Sequence, residues 1–339
     1  MTQLRMRQAI IQALTDEMEV DPDVILLGED IGAAGGAFKA TEGLLGQFGP
    51  LRVRDTPISE MGFLGAAVGA AATGLRPVVE IMFIEFIGVA LDQLTTQAAS
   101  LRYLSRGAYS VPMTVRAAAG AGLGFGCQHS QMLEHWFRGT PGISVVVPSG
   151  AATAYGLLRS AIRSDDPVVF LEHKALYGER EDVITGEKGL IPLGRSRTVR
   201  SGSDVTLIGL GRTTGIALQA AESASSWDAE VIDLMSIAPW DRSAVLESVH
   251  RTRRLVIVEE GGLCGGWGSD ISDAVVGELW GELIAPPLRI TSPDAPIPYA
   301  AELEKRFLPD SGYIIDQVDK LITTGRRPMP WWGLAGGNR

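Results

Sequence analysis

Two kinds of apolar run alternate along the chain, and their alternation sets the first expectation of architecture. Residues 5–19 place apolar side chains three and four apart, the period of an amphipathic helix. Val24 to Gly28 (VILLG) follows as a short continuous apolar run, the kind that parallel sheets bury on both faces. The same reading predicts strands at Val78–Phe83, Val111–Ala117, Ile143–Pro148 and Pro167–His173, with helices at Gly88–Arg106 and Ala151–Arg163. Strand and helix in turn imply a mostly parallel, helix-covered sheet. From Tyr177 to about Ser203 the periodicity fades into charges and glycines, as in a linker. A second alternation begins at Val205–Gly209 and ends at Leu288–Ile290, with helices at Thr213–Ser225, Arg242–His250 and Ser269–Trp280. Its other strands are Glu230–Leu234 and Leu255–Glu259. The expected fold class is α/β, with two doubly wound domains. Their bounds are 1–185 and 204–326, joined by a linker at 186–203 and followed by a Pro, Trp and Gly-rich tail at 327–339. Trp331 and Trp332 either dock on the body or a partner or belong to a disordered tail.

The stretch from Asp55 to Phe86 carries the most local grammar. A turn at Asp55–Pro57 leads to Ser59 as N-cap and Glu60 at the positive helix start, and Gly74 and Pro77 end the helix. Gly62, Ala66, Gly69 and Thr73 recur three or four apart, so one helix face carries almost no side-chain bulk and admits another backbone. This predicts a buried helix and an oligomer.

Composition narrows the classes. The 339 residues exceed what one core usually organises, and 45% hydrophobic with 21% charged residues excludes a disordered chain. A net charge of −10, with no dense basic run, makes nucleic acid and anionic membrane poor partners. The longest apolar run, Phe63 to Leu75, is too short to span a bilayer. The N-terminus does not read as a signal peptide. Cys127 and Cys264 show no metal-ligand spacing and read as free packing thiols in a reducing compartment. The expectation is a cytoplasmic protein.

Few residues read as chemistry on local grounds. Glu29 ends a strand, where open α/β sheets make ligand contacts, although a solvated loop acid has the same signature. Glu60 is either a helix-start carboxylate or a catalytic one. The loop Gly32–Gly36 (GAAGG) fits neither a dinucleotide fingerprint nor a P-loop and reads as a flexible loop. The chain has 4 histidines, and His129 stands out because it follows the run GAGLGFG, Gly120 to Gly126. Glu259 and Glu260 read as a solvated strand-end pair.

The phrases GED, DTPISE, GLRPVVEIMF, LDQ, QHSQ, PVVFLEHK and IPY, in this order and spacing, resemble the beta subunit of the thiamine-diphosphate component of 2-oxo acid dehydrogenase complexes. The likeness spans nearly the whole chain. It implies a pyrimidine-binding domain followed by a smaller transketolase C-terminal-like domain. It also implies a cofactor, thiamine diphosphate, shared with an alpha subunit that holds the diphosphate and its magnesium. No GDG followed by an NN pair occurs here, in keeping with that division.

By resemblance, Glu60 of DTPISE is the carboxylate that hydrogen-bonds the pyrimidine ring nitrogen, favouring the imino tautomer whose neighbouring nitrogen acts as base. A dry pocket tends to raise its pKa. Met82 and Phe86 of EIMFIEF match positions packed on the pyrimidine. His129 of QHSQ matches a histidine near the reacting carbon that handles protons or steers the lipoyl group. Glu29 of GED matches an acid beside the cofactor, in a proton path between two sites. The family's potassium site, built largely from main-chain carbonyls, maps to Met113, Ala161, Ile162, Ser164 and Asp166, with Ser164 where an acid is usual.

A second departure is Gly139, where relatives usually carry a histidine before the PG pair; His135 lies four residues earlier. The implied assembly is an α2β2 heterotetramer that takes a small-molecule donor, pyruvate, a branched 2-oxo acid or acetoin, and passes the acyl group to a lipoyl-bearing acyltransferase core. EIMFIEFIGVALDQ, HSQM and EHKALY lean toward the acetoin type. The alternatives are a free-standing, two-component, transketolase-like carbon-ligating enzyme, and a non-catalytic scaffold subunit.

Overall fold

The structure, a computed structural model, describes residues 1–333. Its first sheet has seven strands in the order Ser236–Ala238, Ser144–Val146, Val168–His173, Thr114–Ala119, Arg76–Ile81, Val24–Gly28 and Val53–Asp55. Six run parallel, and Ser236–Ala238 pairs antiparallel at one edge. The continuous apolar runs became its buried inner strands, and every residue of Thr114–Ala119 and Val168–His173 is buried. The second sheet has five strands in the order Leu288–Ser292, Leu255–Gly262, Val205–Gly209, Ala229–Asp233 and Arg197–Arg200, with only Arg197–Arg200 antiparallel. Helices cover both sheets, so the doubly wound α/β expectation holds.

Helix Met6–Val20 buries Met6, Ala9, Ile10, Ala13, Leu14 and Met18, the stripe its period predicted. Each fully buried Leu or Ile contributes roughly 1.5–3 kcal/mol. Helices Ala151–Ile162, Arg212–Ser223, Arg242–Thr252 and Gly268–Leu279 also lie where periodicity put them. The predicted helix 88–106 differs. A 3₁₀ segment, Ile84–Ala90, comes first, and the helix then runs to Leu104 through a wider turn at Gln93–Ala98.

Within the stretch 177–203, Arg180–Val183 pairs with Thr2–Arg5 as a two-stranded ribbon, and Arg197–Arg200 closes the second sheet. Ser236–Ala238, from the second half of the sequence, completes the first sheet. One apolar cluster runs through both halves, joining Leu64, Ile81, Val145 and Leu171 to Ile208, Leu234, Ile257 and Trp267. After Arg326 the chain lies back on the second half: Arg327 donates to the Pro287 carbonyl, and the Trp331 amide meets the Tyr313 hydroxyl at 3.4 Å. Residues 334–339 of the expected tail lie outside the described residues.

Candidate active site

Because four inner strands run parallel and side by side, their carboxyl ends lie in one row, the edge where open α/β sheets bind ligands. Val24–Gly28 delivers Glu29, Arg76–Ile81 delivers Met82 to Phe86, Thr114–Ala119 runs into the glycine loop and His129, and Val168–His173 delivers Lys174.

Glu29 and Glu60 face each other closely enough to interact as charges. Burial, then the Glu60 carboxylate, then Asp30 raise the Glu29 carboxyl above its ordinary range. Its Oε1 is buried without a hydrogen-bond partner. Glu60 opens helix Glu60–Ala72 after Ser59, which occupies the N-cap position without a side-chain capping bond. The expected burial of this helix holds for one face only. Phe63, Leu64, Ala67, Val68 and Ala71 are buried, while Gly62, Ala66, Gly69 and Thr73 are exposed in this chain. The smooth stripe therefore has no covering element among the described residues.

His129 stands between two aromatic rings that meet it edge to face. Phe83 lies 4.6 Å from it at 83°, and Phe86 lies 5.5 Å away at 82°. Met82 is half-buried beside Phe83. Glu85 ties the two segments together: its Oε1 accepts from the Gln131 amide at 2.7 Å, and its Oε2 is buried and unpartnered. Lys174 is 3% exposed, and its ammonium lies over the rings of Phe83 and Phe125 at 5.5 and 5.9 Å. Burial lowers its pKa to about 8, against the pull of Glu85, Glu260 and Glu304. Phe83, Glu85 and Lys174 were not singled out by sequence; the nearest signal was a lone acid just past an apolar strand.

Glu259 and Glu260 correct the expectation of a solvated pair. They are 1% and 9% exposed, because the strand that carries them runs on to Gly262 beneath the interface of the two halves. Glu259 pairs with Arg289 at 2.6 Å. Glu260 meets His173 Nε2 at 2.8 Å and accepts from the Ala121 amide at 2.7 Å. Burial alone would raise Glu260, but His173 and Arg212 outweigh it and hold the carboxyl at about 2. The GAAGG loop is tied down too: the Gly32 amide donates to Asp55 Oδ1 at 2.7 Å.

Between the halves lies a cavity of about 510 Å³ lined by Cys127, Ser130, His135, Glu260 and Cys264. Neither cysteine forms a disulfide, and Cys264 is exposed instead of packed. His135 lines this cavity, whereas Gly139 caps the short helix His135–Arg138 and is exposed.

The residues mapped to potassium lie at the opposite edge of the sheet, before strands Thr114–Ala119 and Val168–His173 and at or just past the end of helix Ala151–Ile162. Arg76 Nη1 donates to the carbonyls of Ile162 and Ser164 at 3.2 and 3.0 Å. The Met113 carbonyl accepts from the Val168 amide, Ala161 from the Ser164 amide, and Asp166 from Ser164 Oγ. The Asp166 carboxylate pairs with Arg102 at 2.7 Å. With a guanidinium on two of its carbonyls, this set does not fit a second cation.

The model of the transketolase pyrimidine-binding domain matches residues 2–180, and that of the transketolase C-terminal domain matches residues 194–314. A split-gene transketolase, described as an inactive beta4 tetramer, superposes with a TM-score of 0.78 at 22% identity, over 95% of this chain and 99% of that one. Fold and matched domains therefore define a transketolase-like, thiamine-diphosphate-dependent protein. Among curated relatives, the pyruvate dehydrogenase E1 component subunit beta-2, mitochondrial, of Oryza sativa subsp. japonica is 44% identical over 330 residues, 96% of this chain and 86% of its own length. The pyruvate dehydrogenase E1 component subunit beta of Rhizobium meliloti is 43% identical over 320 residues, 94% of this chain and 70% of its own. The chain belongs to the family of E1 beta subunits of thiamine-diphosphate-dependent 2-oxo acid dehydrogenases.

Proposed function

We propose that this chain holds the aminopyrimidine half of thiamine diphosphate at the carboxyl edge of its seven-stranded sheet. The observation that carries the reading is the Glu29–Glu60 pair: two carboxylates near enough for their charges to interact, with no ion pair to either among the described residues and a buried, unpartnered Glu29 oxygen. A ring nitrogen that donates once protonated is the group such a site lacks, so the residues present fit the cofactor.

When bound, thiamine diphosphate supplies the carbon nucleophile and electron sink that no side chain offers. Glu60 would be the carboxylate that accepts a hydrogen bond from the ring nitrogen. Glu29, whose own carboxyl is raised by burial and by the Glu60 charge, stands beside that site as a further acid. Met82 and Phe86 would supply the apolar surface on which the ring packs. His129, gripped edge-on by Phe83 and Phe86, presents an imidazole for proton transfer to the donor or acceptor.

In this reading the chain works in the cytoplasm within an α2β2 heterotetramer whose alpha subunit holds the diphosphate and magnesium, and it passes the acyl group to a lipoyl domain on an acyltransferase core. The exposed stripe of Gly62, Ala66, Gly69 and Thr73 supports a close subunit contact. The reading assigns no role to potassium, since Arg76 donates to two of the carbonyls mapped to it. The relatives carry pyruvate in their names, while EIMFIEFIGVALDQ, HSQM and EHKALY lean toward acetoin; pyruvate, branched 2-oxo acids and acetoin all stay in the test panel.

The test is turnover of the purified chain, alone and mixed with its alpha subunit, with thiamine diphosphate, magnesium, an artificial electron acceptor and that panel. Activity only in the mixture is expected, and the preferred donor names the complex. Turnover by this chain alone, or none from a mixture that binds cofactor, overturns the reading.

A further inference from the structure

The segment IPY, Ile297 to Tyr299, and the short helix behind it, Ala301–Phe307, belong to the second half of the chain yet meet the glycine loop of the first through the Tyr299 ring and the Glu304 carboxylate. Glu304 is 4% exposed, and its two carboxylate oxygens are both committed to that loop. Oε1 accepts from the Gly122 amide at 2.9 Å and Oε2 from the Gly124 amide at 3.0 Å. Glu260 takes the neighbouring Ala121 amide. The Tyr299 ring lies over Gly126, where a Cβ would stand 2.2 Å from Tyr299 Cζ, and φ there is +69°. Gly120, φ +87°, is held as closely by the His173 ring, with 2.2 Å to Nε2.

The consequence lies three residues on. The His129 amide donates to the Gly126 carbonyl at 3.3 Å, so the histidine takes its backbone position from the end of the clamped loop. Phe125, carried by the same loop, packs on Phe83, with centroids 5.9 Å apart, and Phe83 is the ring nearest His129. Phe125 and Gly126, through which the ring stack and the backbone contact reach His129, directly follow Gly124, whose amide ends on Glu304.

We infer that Glu304 is a positioning residue for His129, a bidentate clamp by which the second half of the chain fixes the loop that aims the imidazole at the sheet edge. This inference rests on the proposed role of His129. A carboxylate suits the task because two diverging N–H groups need two acceptor oxygens, and burial strengthens both bonds. Glutamine offers one oxygen and one donor, so it retains one bond and sets an N–H against the other amide. Alanine retains neither.

The experiment uses the chain assembled with its alpha partner and compares Glu304→Gln, Glu304→Ala and His129→Ala. Measured are turnover with an artificial acceptor, acyl transfer to a lipoyl domain, thiamine diphosphate affinity, the pH profile of kcat and amide exchange of residues 120–131. Misplacement of a reacting group by about 1 Å costs up to roughly 100-fold. Expected for Glu304→Gln is therefore a loss of roughly tenfold or more in the step that His129→Ala impairs. The pH profile should be displaced, exchange at Gly122 and Gly124 faster, and cofactor affinity within about twofold, since Glu29 and Glu60 are untouched. Glu304→Ala should lose more and show no additional loss when combined with His129→Ala. If His129→Ala is impaired while Glu304→Gln keeps wild-type turnover and pH profile despite faster exchange, the clamp does not position the histidine. If His129→Ala is itself fully active, the underlying reading of the site fails instead. Should Glu304→Ala fail to assemble, the glutamine variant alone decides.

Discussion

The first half of the chain carries two sets of carboxylates that solve one electrostatic problem in opposite ways. In the middle of the sheet, Arg116 is 1% exposed and pairs with Glu172 at 2.6 Å and with Glu80 at 2.9 Å, while the Tyr177 hydroxyl donates to Glu172 at 2.7 Å. Burial would lower the guanidinium pKa, but the carboxylates of Glu172 and Glu80 outweigh it and raise it. At the carboxyl edge, Glu29 and Glu60 interact as like charges with no ion pair to either among the described residues, and Glu29 is pushed up instead. A set that neutralises itself is complete and structural. On the proposed reading, the set left short of positive charge and of one hydrogen-bond partner is the one that takes a ligand bringing both. Glu134, 3% exposed in the second half's shadow, is a third solution: burial, with Glu259 and Glu260 near, raises it to about 8, so it stays protonated at neutral pH.

Variants rank this contrast. The largest effect is expected from Glu60→Gln, which should lower turnover of the reconstituted enzyme by roughly 10²–10⁴-fold, the range lost with a positioned acid or base. Its thermal midpoint should stay at or above wild type. A variant that keeps full activity would make the edge pair as structural as the central one. Arg116→Met reverses the balance. Stranding two buried carboxylates should cost about 3–5 kcal/mol in chemical denaturation. Adding Glu80→Gln and Glu172→Gln should recover much of it, and a mild effect of the single change would show that the network is solvated.

Third comes Glu134→Gln, read through pH. A carboxyl with a raised folded pKa stabilises the fold fully below the unfolded value, about 4.3, and loses that contribution as pH rises toward the folded value. The variant should thus pull ahead of wild type from about pH 5, by at most about 1.4 kcal/mol per pH unit, and the gap should stop widening near the carboxyl's own value of about 8. Parallel stability curves would mean that Glu134 titrates normally. The smallest effect belongs to Glu29→Gln. The Glu29 carboxyl is likewise raised, so the substitution should lift the midpoint slightly at neutral pH and lose that gain below about pH 4. A lowered midpoint would mean that the ionised form is stabilised after all.

What sequence could show divides along the same physical line. Inner strands such as Val24–Gly28 and Val205–Gly209 were legible to the residue because burial on both faces demands unbroken apolar runs. The edge strands Ser236–Ala238, Arg197–Arg200 and Thr2–Arg5 were not, since partners distant in sequence decide them and their own patterns are short and polar. Helix Ser311–Thr324 did leave signals beyond the last strand of the alternation: Asp310 caps the Tyr313 amide at 2.7 Å, and Gly325 ends the helix at φ +63°. At the site, Glu60 was visible as a helix-start acid, and the resemblance gave it a task. Glu260 and Glu304 were invisible as contacts, because their partners are backbone amides of a loop 139 to 182 residues away.

The strand Ser236–Ala238 also bears on how this chain is made. A growing chain can assemble six neighbouring strands early, yet the seventh emerges only after the second sheet has begun, and until then Ser144–Val146 presents an open row of donors and acceptors. A fragment that ends before Ser236 is expected to leave Ser144–Val146 as an uncovered edge, open to pairing with another chain.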